Sequence, residues 1–147
     1  MRKIYLFLAI LAVTITACQK DGIPEDDQIT SYVTSKKLTV TEKTASGLRY
    51  IVTKANPTGA ALKVGQNINV NYAGTLLSGK SFDSGNFSFV LGGGRVIAGF
   101  DEGIAKMKVG EKATLIFPST LGYGSSGSGP IPANSPLVFD IEVVSAR

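Results

Sequence analysis

The sequence has no histidine and no tryptophan, and its 147 residues include a single cysteine, Cys18. Without an imidazole, neither a three-histidine zinc site nor a Ser-His-Asp triad can be assembled. A lone cysteine leaves no intramolecular disulfide. Charged residues make up 18% of the chain and no basic block occurs, so a nucleic-acid partner has no support. The formal charge of +4 falls to +2 once Arg2 and Lys3 are set aside as part of a targeting segment, leaving thirteen Lys and Arg against eleven acids. No pair of residues points to acid–base, nucleophilic or metal catalysis, and no internal repeat is visible. The length suits one domain plus a targeting segment.

What is present begins with that segment. Arg2-Lys3 and the apolar run Ile4 to Val13 read as the n-region and h-region of a signal peptide. The run is too short to span a bilayer, which takes about 20 residues. It ends in Ile15-Thr16-Ala17-Cys18, which resembles the lipobox of bacterial lipoproteins, with Ile where Leu is commonest. The resemblance implies a signal peptide over 1–17 and lipidation of Cys18. The plainer reading is an ordinary secretory signal with an incidental cysteine. Free cysteine is unusual in exported proteins, and anchoring gives a reason to keep one. Gln19 to Asp27 is polar and reads as a tether. The Cys-Gln-Lys-Asp start is similar to export signals of Bacteroidetes-type surface lipoproteins. A short helix is expected over Asp27 to Lys37, capped by Asp26 or Asp27, with Ile29, Tyr32 and Val33 on one side. It is short enough to depend on docking for its stability.

The rest of the chain is organised around Phe87 to Met107. Phe87, Phe89 and Leu91 alternate as one face of a strand, Gly92 to Gly94 turn the chain, and a helix follows. Phe100, Ile104 and Met107 form its apolar side, with Asp101 and Glu102 in the first turn, Lys106 and Lys108 near the end, and Gly110 as the stop. Gly103 in mid-helix marks a place where backbones approach closely. Strands are expected over Leu48 to Thr53, Asn67 to Tyr72, Ala113 to Phe117 and Leu137 to Val144. A hairpin over Gly74 to Lys80 leads into Ser81-Phe82-Asp83. Leu121 to Asn134 is a long Gly-, Ser- and Pro-rich loop, too structureless for its length unless it is functional or disordered. Hairpin-joined strands with one helix give an α+β domain, an antiparallel sheet covering that helix.

Tyr72, Phe82, Phe87, Val96, Ile97, Phe100, Tyr123, Ile131 and Phe139 lie next to loops. Singly, each reads as core. With Asp83 and the long loop, they would line an apolar cleft carrying a few polar groups.

Seven phrases then run in order: Val70-Asn-Tyr-Ala-Gly-Thr-Leu76, Gly79-Lys-Ser-Phe-Asp-Ser84, Val96-Ile-Ala-Gly-Phe-Asp-Glu-Gly103, Met107-Lys-Val-Gly-Glu-Lys112, Leu121-Gly-Tyr-Gly124, Ile131-Pro132 and Leu137-Val-Phe-Asp-Ile-Glu142. Over 46–147 the chain resembles the FKBP-type peptidyl-prolyl cis-trans isomerases. The resemblance implies a curved antiparallel sheet wrapped around one short α-helix, with 18–45 left as lipidated cysteine, tether and short helix. It places Tyr72, Phe82, Asp83, Ile97, Tyr123 and Phe139 as catalytic residues, and Phe87, Val96, Phe100 and Ile131 as substrate-binding ones. Phe100 would floor the pocket where the family most often has Trp. The Ile97 N–H would donate to a substrate carbonyl next to proline, and the Tyr123 hydroxyl would contact the other side.

The implied partners are proline-containing polypeptides and FK506-like macrolides, with no cofactor and no metal. A lipid-anchored monomer in a bacterial cell envelope, facing the periplasm or the surface, is the expected setting. Three departures bear on specificity. The Ser84-Gly85-Asn86-Phe87 link is several residues shorter than in many members, Arg95 stands where an acid is frequent, and the Ser125 to Pro130 loop is trimmed. A peptide-binding module of the same fold without turnover, or a surface protein with a filled pocket, are the competing readings.

Overall fold

The computed structural model describes residues 22–147. The signal peptide, Cys18 and the start of the tether, residues 19–21, lie outside the described residues. The chain order is α1 (Glu25–Ser35), β1 (Glu42–Lys43), β2 (Arg49–Lys54), β3 (Asn67–Leu76), β4 (Ser81–Val90), α2 (Ala98–Ile104), β5 (Lys112–Phe117), a 3₁₀ turn (Ser119–Leu121) and β6 (Leu137–Ala146). The strands form one six-stranded sheet in the order β1-β2-β5-β6-β3-β4, and every pair is antiparallel. It is an α+β fold, a curled antiparallel sheet with two short helices.

Alternation builds the inner face. Ile68 and Val70 of β3, Phe89 of β4, Leu115 and Phe117 of β5, and Leu137, Phe139, Ile141 and Val143 of β6 are buried in one cluster with Phe100 and Ile104 of α2. A Cβ on Gly99 would lie 2.5 Å from the Phe117 ring, and one on Gly103 would collide with Leu115. Both glycines are buried, so α2 rests almost directly on β5. The close approach expected at Gly103 is there, and Gly99 extends it along the same helix face.

The helix is shorter than the periodicity implies. It ends at Ile104, and the Lys106 and Met107 N–H groups donate three residues back, to Gly103 and Ile104. Met107 is still buried, delivered by this turn and not by helical phase. Lys106 therefore lies past the helix, and Gly110 (φ +79°) shapes the next turn, in which the Glu111 N–H donates to the Lys108 carbonyl. Gly110 is thus not the helix stop. Nearby, buried Glu111 accepts a hydrogen bond from the Tyr50 hydroxyl. Burial, then that bond, pushes the Tyr50 phenol above its ordinary range.

Helix α1 docks on the opposite face of the sheet. Ile29 is buried against Ile51, Ile116 and Val138, with Tyr32, Val33, Leu38 and Val40 around them. The helix starts directly after Pro24 with no side-chain cap, so neither Asp26 nor Asp27 caps it. The acids of its first turn bind the sheet side instead. Glu25 accepts from the Ser119 N–H and hydroxyl, both at 2.6 Å. Asp26 pairs with Arg49 at 2.8 Å and Lys43 at 3.1 Å. Their hydrogen bonds, that of Arg49 first, hold the Asp26 carboxyl below its ordinary value.

Other segments also differ from expectation. The Ser84 to Asn86 link is part of an uninterrupted ten-residue edge strand. β3 runs through Gly74 to Leu76, so the hairpin turn is confined to Leu77–Lys80. The short β1 was not anticipated. The 121–134 loop is ordered by internal hydrogen bonds: Ser128 and Ile131 exchange both N–H···O bonds at 2.9 Å, and the Asn134 N–H donates to Gly124 at 2.8 Å.

Candidate functional site

A cleft of about 590 Å³ opens between α2, the inner face of β3, β4 and β6, and the 121–134 loop. Tyr72, Phe82, Asp83, Phe87, Val96, Ile97, Phe100, Tyr123, Ile131 and Phe139 all line it, joined by Gly94, Arg95, Ser128, Gly129 and Pro130.

Phe82 and Asp83 are consecutive, so a regular strand would send them to opposite faces. β4 avoids this with a bulge. Ser81 pairs with Thr75 and Asp83 with Gly74, leaving Phe82 as the extra residue. From Asp83 onward, alternation resumes with Phe87 facing the cleft. Tyr72 reaches Asp83 from β3, its hydroxyl donating to Oδ2 at 2.8 Å. Burial first, then this bond and the charge of Asp83, raise the Tyr72 phenol above its ordinary value. The hydroxyl thus stays protonated at neutral pH and keeps donating.

Phe100 forms the floor and is buried. Its ring meets Phe139 edge-on at 5.2 Å, Tyr72 edge-on at 6.1 Å and Phe87 tilted at 5.8 Å. Phe82 meets Phe139 edge-on at 5.4 Å. Edge-to-face contacts at these separations fix ring positions, each adding about 0.5–1.5 kcal/mol beyond burial. The glycine turn is tied to α2 by the Gly92 N–H donating to Asp101 Oδ1 at 2.9 Å. That bond holds Val96 and Ile97 at the start of the helix. The Ile97 carbonyl accepts from Phe100 and Asp101 at 3.1 Å, whereas among the described residues its own N–H donates to no acceptor. On the far side the loop presents Tyr123, 38% exposed, and buried Ile131.

One contributor carried no prediction. Gly74 lies between Asp83 on β4 and Phe139 on β6. A Cβ there would come within 2.5 Å of the Phe82 ring and 2.9 Å of Phe139. The two rings fold over bare backbone, a reason for glycine inside a strand that the sequence signals only as an interruption. The Ser128–Pro130 lip was legible only as loop composition.

A profile described as FKBP-type peptidyl-prolyl cis-trans isomerase matches residues 59–144. FK506-binding protein 1 of Dictyostelium discoideum is 49% identical over 90 residues, 57% of this chain and 84% of that protein. FK506-binding protein 2 of Podospora anserina is 52% identical over 88 residues, 56% of this chain, which spans about half (48%) of that relative. The crystal structure of FkpA from Escherichia coli superposes with a TM-score of 0.72 at 37% identity, over 84% of this chain and 59% of that one. AtFKBP13 gives 0.66 at 36% identity, over 70% and 95%. The chain belongs to the FKBP-type peptidyl-prolyl cis-trans isomerase family.

Gly74→Ala should tilt the Phe82 and Phe139 rings into the cleft. Thermal unfolding is expected to show a loss of about 1–3 kcal/mol, the usual range for overpacking. Unchanged stability would mean that the rings are not held by contact with this backbone.

Proposed function

We propose that the chain accelerates rotation about Xaa-Pro bonds by binding the twisted imide in this cleft better than the planar one. The observation that carries the reading is the aromatic enclosure of Tyr72, Phe82, Phe87, Phe100 and Phe139 with one polar pair, Tyr72 and Asp83, built into its wall. An amide resists rotation by about 18–20 kcal/mol because twisting it breaks resonance. Uncatalysed, Xaa-Pro bonds isomerise in tens to hundreds of seconds. The twisted state loses resonance and charge separation, so a dry apolar wall favours it relative to water. No bond to hydrogen or between heavy atoms breaks, which makes histidine, nucleophile and metal unnecessary.

In this reading the Ile97 N–H, free of protein acceptors among the described residues, donates to the carbonyl beside proline. Tyr123 contacts the opposite side, and Asp83 and Tyr72 orient the peptide. Val96 and Ile131 close the ends. The names of the FK506-binding relatives support macrolide binding at the same cleft.

The activity is read from isomerisation of short Xaa-Pro peptides in a protease-coupled assay. The full chain should accelerate it, Phe82→Ala should lower kcat/KM about tenfold, equal to ~1.4 kcal/mol of transition-state binding, and Asp83→Leu and Tyr123→Ala should each lower it severalfold. Peptide binding without acceleration would favour a non-catalytic module, with the smaller floor at Phe100 as the place to look. Full activity in Asp83→Leu or Tyr123→Ala would remove that residue from the mechanism.

We further propose that residues 1–17 are a lipoprotein signal peptide, that Cys18 carries the lipid, and that the isomerase domain, 46–147, acts as a monomer on exported polypeptides in a bacterial cell envelope. The supporting features are the Arg2-Lys3 start, the short apolar run and the Thr16-Ala17-Cys18 end. Cells expressing the full chain with labelled palmitate should yield a labelled, membrane-bound product. Cys18→Ala should yield neither label nor membrane retention; a retained, labelled variant would contradict the anchor.

A further inference from the structure

Arg95 stands on the cleft rim, between the Gly92–Gly94 turn and Val96-Ile97. It is exposed, and none of the ion pairs among the described residues includes it. Neither Asp83, which accepts from Tyr72 at 2.8 Å, nor Asp101, which accepts from the Gly92 N–H at 2.9 Å, pairs with it. Across the cleft, Tyr123 and the Ser128–Pro130 lip carry no formal charge. Arg95 is therefore a rim cation that no carboxylate pairs, two residues before the Ile97 N–H, while Asp83 lines the cleft from β4 with a neutral phenol as its hydrogen-bond donor.

We propose that Arg95 gives the cleft a preference for client segments carrying Asp or Glu close to the proline. The inference rests on the cleft being the peptide-binding site and adds the charge class of the peptide. Arginine suits the task, since its fork of donors meets a carboxylate in a bidentate fashion and stays charged at any physiological pH. The side chain is solvent-exposed, so the gain is modest. Exposed ion pairs are worth roughly two- to fivefold in an equilibrium or rate ratio. The preference weakens with salt, because the Debye length falls from about 10 Å at 0.1 M to 3 Å at 1 M.

The test uses the full chain and a peptide series with Glu, Gln or Lys at each position flanking the proline. Both kcat/KM and peptide affinity are measured, at low and high salt. Wild type should favour Glu over Gln by about two- to fivefold at one or more positions and disfavour Lys, with the ratio approaching unity at 1 M salt. Arg95→Gln should abolish the Glu-to-Gln ratio, and Arg95→Glu should invert it in favour of Lys. A wild-type ratio of unity at every position, or a ratio that survives in both variants, would overturn the proposal. If no peptide is turned over, the isomerase reading fails by itself and the affinities still decide the role of Arg95.

Discussion

The cleft depends on how closely α2 approaches the sheet. With bare backbone at Gly99 and Gly103, the helix meets Phe117 and Leu115 of β5 directly. Phe100, on the same helix, is thereby lowered into contact with Tyr72, Phe87 and Phe139. A helix held off by ordinary side chains would lift this ring and leave a gap where the floor now is. Glycine in a helix costs about 1 kcal/mol in propensity, and here that cost is offset by the burial the close approach permits.

The same economy of side chains appears on β3 and β4. Gly74 lets Phe82 and Phe139 fold over the strand, and the bulge at Phe82 turns two successive residues into one cleft. The result is an aromatic enclosure with a single built-in polar pair. Such a wall offers little to a reaction that needs proton transfer. It suits one whose barrier lies in lost resonance and whose transition state is less polar than its ground state. The docking of α1 belongs to a separate layer. Glu25 and Asp26, expected as features of a tether and a helix start, fasten α1 to Ser119 and to buried Arg49 on the far face of the sheet.

Much of this was legible in the sequence because it rests on short periods. Alternation in Asn67 to Tyr72 and Leu137 to Val144 fixes strands and their inner face, and the i, i+4 spacing of Phe100 and Ile104 fixes α2. The cleft residues were read from their place next to loops and their roles from ordered phrases resembling a family, not from periodicity. What escaped depends on partners distant in sequence. The end of α2 is set by its packing and the turn after it, so Met107 is buried outside the helix. Gly74 is explained only by rings from β4 and β6. The bulge at Phe82 exists only in the register with β3, and Glu25 and Asp26 read as tether and cap because Ser119 and Arg49 lie far along the chain. The 121–134 loop looked unstructured because its order comes from backbone bonds between Ser128 and Ile131, which composition does not encode.

In the proposed mechanism the cleft speeds rotation by differential binding alone, with no proton in flight. Exchange spectroscopy by NMR on an Xaa-Pro peptide, with catalytic amounts of the full chain in H₂O and in D₂O, tests it most directly. Faster cis–trans exchange of the peptide is expected, at the same rate in both solvents. Exchange no faster than in free peptide, or an acceleration that drops sharply in D₂O, would contradict it.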